Sequence, residues 1–229
     1  MMVVLTKGFK LRHIGHLDCM RAVQRALRRS GLPVVYSKGF NPHIELSFAS
    51  PLSLGVVGLR EVADIPLARD VSEDDFTRTL NQHLPGGMFT AQSRLIGDDF
   101  PTLMALVSAS RYAIVLPANE QSQAVVDKVP EFLALSEYLA KRKTKAGEKW
   151  CDIRPFIKEA SVFRDNENWR IESLFLTKTQ GSIKPSLWLK ALCSLANTPE
   201  VPCIVFREAI LCQTPDGTLI PMEEYGRAE

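Results

Sequence analysis

The sequence predicts an α+β fold built from two ferredoxin-like halves, each with the order β-α-β-β-α-β and an antiparallel sheet with helices packed on one face. Three observations support this prediction. The chain has 229 residues, which is enough for two domains of about 100 residues each. Strand-like and helical apolar patterns alternate twice along it, and a polar, turn-rich segment separates the two cycles. We therefore expect one domain over residues 1–98 and a second over residues 110–229.

The first half contains two amphipathic helices separated by short strands. Met20, Val23 and Leu27 recur at helical spacing, and Gly31 is typical of a helix C-terminus. Ser72 precedes three acidic residues and predicts the start of the second helix. In order, the predicted elements are a strand over 3–8, a helix over 15–30, strands over 34–36, 44–48 and 60–67, a helix over 72–84, and a strand over 88–96.

The second half repeats this order. A helical pattern is interrupted at Pro130, and Pro185 lies in the predicted first turn of another helix. The basic run from Lys141 to Lys145 is interpreted as a solvated loop, with Trp150 beside it as a candidate for base stacking. The predicted strands lie over 112–116, 153–163, 169–176 and 203–212, with a turn at 165–168 and helices over 121–135 and 185–195.

Composition excludes several functional classes. The five cysteines are scattered and have no CxxC spacing, so we expect packed thiols, with no disulfide framework, no metal site and no cofactor. They are Cys19, Cys151, Cys193, Cys203 and Cys212. No apolar run approaches the roughly 20 residues of a membrane-spanning helix, and the N-terminus lacks the layout of a signal peptide. We expect a cytoplasmic protein that makes no membrane contact.

Charge is strongly segregated, although the formal net charge is only +2. The first 43 residues contain one acid, Asp18, against eight basic residues, whereas residues 61–75 contain six acids. This pattern predicts a basic face. The eight basic residues of this segment are Lys7, Lys10, Arg12, Arg21, Arg25, Arg28, Arg29 and Lys38.

Arg21, Arg25 and Arg28 form the centre of that face. They lie within about 60° of one another on a helix with 100° per residue, so their guanidinium groups repel one another. Two interpretations follow. Either the acids of residues 61–75 compensate the arginines, or the arginines bind a polyanion such as the phosphate backbone of RNA.

The segment YSKGFNPH follows the first helix and joins it to the sheet. Gly39 permits close approach of a ligand to the backbone, and Tyr36 and Phe40 offer rings that stack on bases. Lys38 and His43 are suited to phosphate contact. The alternative is a tight turn in which Phe40 packs into the core.

Three histidines are the candidates for metal binding or acid–base chemistry. A metal site needs at least three converging ligands, and His13 and His16 with the later His43 do not form a recognisable set. A metal-independent nuclease would use histidines on a ribose hydroxyl. The pattern favours polar contacts instead, with His16 and Asp18 near the helix N-terminus.

Five stretches of the chain resemble a known family: GHLD (15–18), RALRRSGLP (25–33), YSKGFNPH (36–43), LSFASPLSLG (46–55) and DIRP (152–155). Together they closely resemble the uncharacterised radical-SAM-linked domain family, in its stand-alone form, since the chain has no CxxxCxxC motif. The resemblance implies an accessory role beside a radical-SAM partner protein. It also implies RNA as the ligand, because genes for such domains often neighbour ribonuclease and ribosomal-protein genes. The family has no catalytic residues to transfer.

We therefore predict an accessory RNA-binding module that works with a radical-SAM enzyme, and we assign no catalytic activity to the isolated chain. Two alternatives remain open. One is a metal-independent RNA-processing or RNA-modifying enzyme that uses His16 or His43. The other is a scaffold that docks the radical-SAM enzyme through its arginines. The predicted RNA-binding residues are Arg12, His16, Arg21, Arg25, Arg28, Tyr36, Lys38, Phe40 and His43.

Overall fold

The fold is mixed α+β, with a large, mostly antiparallel sheet and few helices. It is seen in a computed structural model that describes residues 1–144, 147–165, 167–179 and 181–227. Lys145 of the basic run and Asn166 of the predicted turn lie outside the described residues. No helix in the described ranges is long and apolar enough to cross a membrane.

The chain divides into two compact units. Unit 1 comprises Met1–Val107 with Arg207–Glu229, and unit 2 comprises Ser108–Phe206. The C-terminal residues therefore group with the first unit, whereas the predicted second domain ran from residue 110 to residue 229.

The first segment of unit 1 contains four strands, the two predicted helices and one additional short helix, and thus one strand fewer than the five predicted. The elements present are β1 (Met2–Lys7), α1 (His16–Ser30), β2 (Ser47–Phe48), β3 (Val56–Asp64), α2 (Glu73–Asn81), β4 (Met88–Arg94) and α3 (Leu103–Leu106).

β1 is the central strand of this segment, because it pairs antiparallel with both β3 and β4, while β2 pairs antiparallel with β3. All six residues of β1 are buried, and alternate side chains of a strand enter opposite faces. Val3 and Leu5 pack in one core with the buried sides of α1 and α2. Met2 packs in another core with Val62 and Ile210.

α1 follows the predicted pattern. It begins at His16, and it ends where Gly31 adopts the left-handed conformation with φ of 68°, which glycine adopts without strain. Most of its apolar side chains face the core, with Leu17 exposed near the start of the helix, and its arginines face solvent. The buried residues are Cys19, Val23, Ala26 and Leu27.

The predicted strands over 34–36 and 44–48 are only partly formed. Over residues 34–48 the structure has the two-residue strand β2 and the isolated bridges of Val34 with Leu67 and of Tyr36 with Ile44. Pro33 and Pro42 interrupt this region, and proline cannot donate a backbone hydrogen bond to a strand ladder. The segment is thus an ordered connection rather than a pair of strands.

The remaining elements lie mainly in unit 2, while β10 crosses into unit 1 and β11 lies in unit 1. They are β5 (Val107–Pro117), α4 (Glu120–Val126), α5 (Lys128–Ala134), β6 (Leu139–Thr144), β7 (Gly147–Asp152), β8 (Ile157–Asp165), β9 (Asn168–Leu176), α6 (Pro185–Leu195), β10 (Ile204–Gln213) and β11 (Leu219–Pro221). β9 pairs antiparallel with both β5 and β8, and β11 pairs antiparallel with β10.

Three predictions for the second half are corrected. The helix predicted over 121–135 is two helices that meet at Asp127, with Pro130 in the first turn of α5, where a missing N–H costs little. The strand predicted from residue 153 begins at Ile157, after the single 3₁₀ turn Arg154–Phe156. Residues 141–144 of the basic run lie in strand β6, which pairs with β7, instead of in the predicted loop.

Candidate nucleic-acid interface

The exposed face of α1 presents three arginines to solvent: Arg21, Arg25 and Arg28. Arg21 Nη1 lies 3.1 Å from Asp18 Oδ1, and both side chains are 63 % exposed. An ion pair this exposed contributes little to stability. In the described part of the chain, no hydrogen bond or ion pair involves the side chain of Arg25 or Arg28.

Three of the six acids of residues 61–75 have cationic partners outside α1, and no salt bridge in the described residues joins any of the six to an arginine of α1. Glu61 pairs with Arg207, and Asp64 lies 3.6 Å from the N-terminal ammonium of Met1. Asp75 pairs with Arg78 within α2. These contacts remove most of the support for an internal acidic partner of the arginines.

Residues 36–44 form a closed loop beside α1. The backbone bridge of Tyr36 with Ile44 closes it, and His43 Nδ1 lies 2.8 Å from the hydroxyl of Ser37, which also accepts the N–H of His43. Phe40 at its tip is fully exposed, so the alternative in which this ring packs into the core is wrong. Lys38 is exposed as well.

Gln24 joins the base of this loop to α1. Its side-chain nitrogen donates a hydrogen bond of 2.8 Å to the carbonyl oxygen of Ile44. Residues three and four positions apart are neighbours on a helix surface, so Gln24 lies next to Arg21 and Arg28. We call Arg21, Arg25, Arg28 and the loop 36–44 the basic surface.

Arg12 lies on the 3₁₀ turn Phe9–Leu11 and its cap, before α1 begins. Its guanidinium lies 3.7 Å from the ring centroid of Phe9, and Nη1 donates to the carbonyl oxygen of the same residue. Arg12 is therefore held against an aromatic ring, and no contact with the basic surface is seen in the described residues.

His16 lies on the other side of α1. Seven residues, or about two helical turns, separate it from the fully buried Val23, so both side chains lie on the same side of the helix. The ring of His16 packs edge-on against Phe48, with centroids 5.4 Å apart. His43 is bound to Ser37 in the loop. The two histidines thus occupy different environments, and among the described residues no cluster of three or more metal-ligating side chains is found.

A buried polar cluster behind α1 was missed by the sequence analysis. Arg207 and Glu61 are 2 % and 3 % exposed and form a two-pronged salt bridge, with Arg207 Nε 2.8 Å from Glu61 Oε1. Lys7 is also buried, and its ammonium donates to the carbonyl oxygens of Arg12 and Ile14. The available signal was an adjacent Arg-Glu pair within each of the apolar strands VVGLREVAD and IVFREAILCQ.

Gly58 makes room for this cluster. A Cβ atom at position 58 would lie 2.6 Å from Cγ of Glu61, which is closer than the packing allows. Lys7, His16, Cys19 and Glu61 line a narrow cavity of about 10 Å³, which is the space that one water molecule needs. The cluster is therefore a packed structural feature without room for an organic ligand.

Burial decides the protonation of the groups around this cavity. Burial lowers the pKa of His16, and the positive charge of Arg207 lowers it further. Burial raises the pKa of the Cys19 thiol to about 11, so this thiol stays protonated at neutral pH and is not a nucleophile.

We expect His16 to make the protein less stable as the pH falls. Its pKa is lowered in the folded state, so the unfolded chain binds the proton more readily below its ordinary value of 6.5. The stability contributed by the neutral ring is present above pH 6.5 and is lost as the pH falls toward the folded-state pKa. The slope from one proton is at most about 1.4 kcal/mol per pH unit.

Urea unfolding between pH 7.5 and 5 measures this effect. The free energy of unfolding of the wild type should decrease more steeply with falling pH than that of His16→Gln. His13→Gln removes an exposed histidine and should keep the wild-type slope. Equal slopes for wild type and His16→Gln would contradict the assignment.

The chain is similar to a protein family in sequence and to solved structures in fold. A family model described as "Uncharacterized protein conserved in bacteria (DUF2344)" matches residues 1–185. Curated proteins give no match. Among solved structures, a chain of "Crystal Structure of a Cbf5-Nop10-Gar1 Complex" matches with a TM-score of 0.51 and 8 % identity, over 90 % of this chain and 47 % of that chain. The present chain thus spans about half of that solved chain, and the likeness concerns the fold alone.

Proposed function

The chain belongs to this family of uncharacterized proteins conserved in bacteria, and from that premise we propose that it is an accessory module that binds RNA through its basic surface. The observation that carries the proposal is the attachment of the exposed Phe40 loop to the arginine face of α1 through Gln24. An exposed ring beside several guanidinium groups combines the two contacts that single-stranded nucleic acids use, namely base stacking and phosphate binding.

The residues of the proposed interface have separate roles. Arg21, Arg25 and Arg28 contact phosphates, because guanidinium forks match phosphate oxygens. Phe40 stacks on an unpaired base, and Lys38 contributes a further charge next to it. The two hydrogen bonds between Ser37 and His43 limit the motion of the loop, which reduces the conformational entropy lost on binding.

The proposal includes a radical-SAM enzyme as the partner that acts on the bound RNA. Its support is the resemblance of the motifs GHLD, YSKGFNPH and DIRP to the radical-SAM-linked domain family. The cavity beside His16 is too small for a nucleotide, which counts against His16 as a catalytic residue.

The proposal also includes the description of both halves as ferredoxin-like. In the first half, β2, β3, β1 and β4 are adjacent in that order and antiparallel, which is consistent with this topology. In the second half, β8, β9 and β5 are adjacent and antiparallel. The hairpin of β6 and β7 is then an insertion before β8.

Salt titration of RNA binding tests the function. We expect anisotropy measurements with labelled single-stranded RNA to show a Kd that rises about three-hundredfold between 50 and 200 mM salt if about six phosphates are contacted. Phe40→Ala should raise the Kd about fivefold or more, because stacking of one base contributes about 1–3 kcal/mol. It should leave the salt dependence unchanged, since a phenyl ring releases no counterions.

Phe89→Ala is the matched control, because Phe89 is an aromatic residue of unit 1 that is 51 % exposed and lies on β4. It should bind RNA as the wild type does. Absence of measurable affinity for structured and single-stranded RNA at 50 mM salt would overturn the proposed function.

A further inference from the structure

The hairpin of β6 and β7 presents an aromatic and basic face to solvent. Lys141 lies directly opposite Trp150 in the antiparallel register, and residues opposite each other project from the same face. The Lys141 ammonium lies 5.4 Å from the centroid of the indole ring. Trp150 is 65 % exposed, and Leu139 on the same face is 52 % exposed.

The motif DIRP holds the base of this hairpin. Asp152 Oδ1 accepts hydrogen bonds from the backbone N–H groups of Tyr138 and Arg154, at 2.9 and 3.0 Å. The guanidinium of Arg154 donates to three backbone carbonyl oxygens, those of Leu133, Leu135 and Ile157. The base is therefore fixed while Trp150, two residues before Asp152, remains in solvent.

The charge of the hairpin identifies the kind of partner. The register places Lys141 on the face of Trp150, together with Glu148 two residues before it, whereas Arg142 and Lys149 lie opposite each other on the other face. Asp152 is occupied at the base of the hairpin. An exposed indole ring beside an ammonium group offers a stacking surface next to a phosphate contact, and single-stranded nucleic acids use these two contacts together.

We propose that this face is a second binding surface for single-stranded RNA, in which one base stacks on Trp150 and Lys141 contacts an adjacent phosphate. The inference takes its ligand class from the proposed function, but it depends on residues of unit 2 that the basic surface does not contain. The chain would then hold RNA at two separate places.

Oligouridine binding measures the contribution of the hairpin. Trp150→Ala should raise the Kd for a labelled 12-nucleotide oligouridine about tenfold, the loss expected for one stacked base. Lys141→Gln should raise it less and reduce the salt slope by about one, as for loss of one phosphate contact. Phe163→Ala, which removes another half-exposed aromatic ring of unit 2, is the control and should change the Kd less than twofold.

Crosslinking separates this inference from the proposed function. Oligonucleotides with 4-thiouridine are irradiated with the full chain, and trypsin then yields one peptide over 150–158 from the hairpin and one over 39–60 from the Phe40 loop. Crosslinks on both peptides support both proposals. A crosslink on 39–60 alone, or a Trp150→Ala Kd within twofold of wild type, overturns the hairpin surface. A crosslink on 150–158 alone overturns the basic surface, and none on either overturns both.

An unchanged thermal unfolding midpoint shows that each variant is folded. Trp150 and Lys141 project from an exposed face, so neither substitution removes core packing. Trp150→Phe provides a second test of base stacking, because a smaller aromatic ring still stacks. Its Kd should lie between those of the wild type and Trp150→Ala, and a Kd equal to that of Trp150→Ala would count against stacking.

Discussion

Replacement of Glu61 by Gln is expected to lower the free energy of unfolding by about 3–5 kcal/mol, because it leaves a buried guanidinium without its counter-charge. Arg207 is 2 % exposed, and both prongs of its guanidinium face Glu61. It also donates hydrogen bonds to neutral oxygens of Ser50 and Pro51. Urea unfolding monitored by circular dichroism measures the loss.

Two companion variants define the cause. Glu45→Gln removes an exposed carboxylate and should change the free energy of unfolding by less than about 0.5 kcal/mol. Replacement of the whole pair, Glu61→Leu with Arg207→Met, should recover much of the stability lost in Glu61→Gln, because packed apolar side chains do not need a counter-charge. A loss below 1 kcal/mol in Glu61→Gln would show that Arg207 is not held by this carboxylate.

The second large effect is expected in RNA binding. Charge reversal of Arg21, Arg25 and Arg28 to Glu should raise the Kd for single-stranded RNA at least a hundredfold at low salt, because three phosphate contacts become three repulsions. The side chains are exposed, so the thermal unfolding midpoint should change little. Anisotropy titrations at several salt concentrations should also show a shallower salt dependence.

A matched triple variant separates local contact from total charge. Each Arg→Glu change lowers the net charge by two, so three changes take the formal value of +2 to −4. Arg69, Arg111 and Arg164 are exposed elsewhere, and their reversal produces the same net charge. If both triple variants weaken binding equally, the arginines of α1 contribute only through the net charge of the protein.

Local patterns were sufficient for much of the fold. The helical repeat of Met20, Val23 and Leu27 predicted α1 and its exposed arginines. His16 lies seven residues before Val23 and therefore on the same, buried side of the helix. Ser72 predicted the start of α2, where its hydroxyl accepts the N–H of Asp75. These features depend on neighbours within two helical turns.

The hairpin of β6 and β7 was not predicted, and the reason is physical. Its strands lack the apolar alternation that marks a strand with one buried face. Hydrogen bonds of Asp152 and Arg154 hold its base instead, and Arg154 reaches carbonyl oxygens 19 and 21 residues earlier in the chain. Hydrogen bonds of this kind leave no periodic pattern in the sequence.

The sequence by itself determined the amphipathic phase of the helices, the basic character of the early segment and the positions of most strands, because each depends on the spacing of nearby residues. Only the tertiary structure decided how the charges are partnered. Glu61 and Arg207 are 146 residues apart and meet because β3 and the part of β10 that begins at Arg207 belong to one unit, whereas the arginines of α1 remain in solvent. The partner of a charge depends on which strands come together, and no local spacing encodes that.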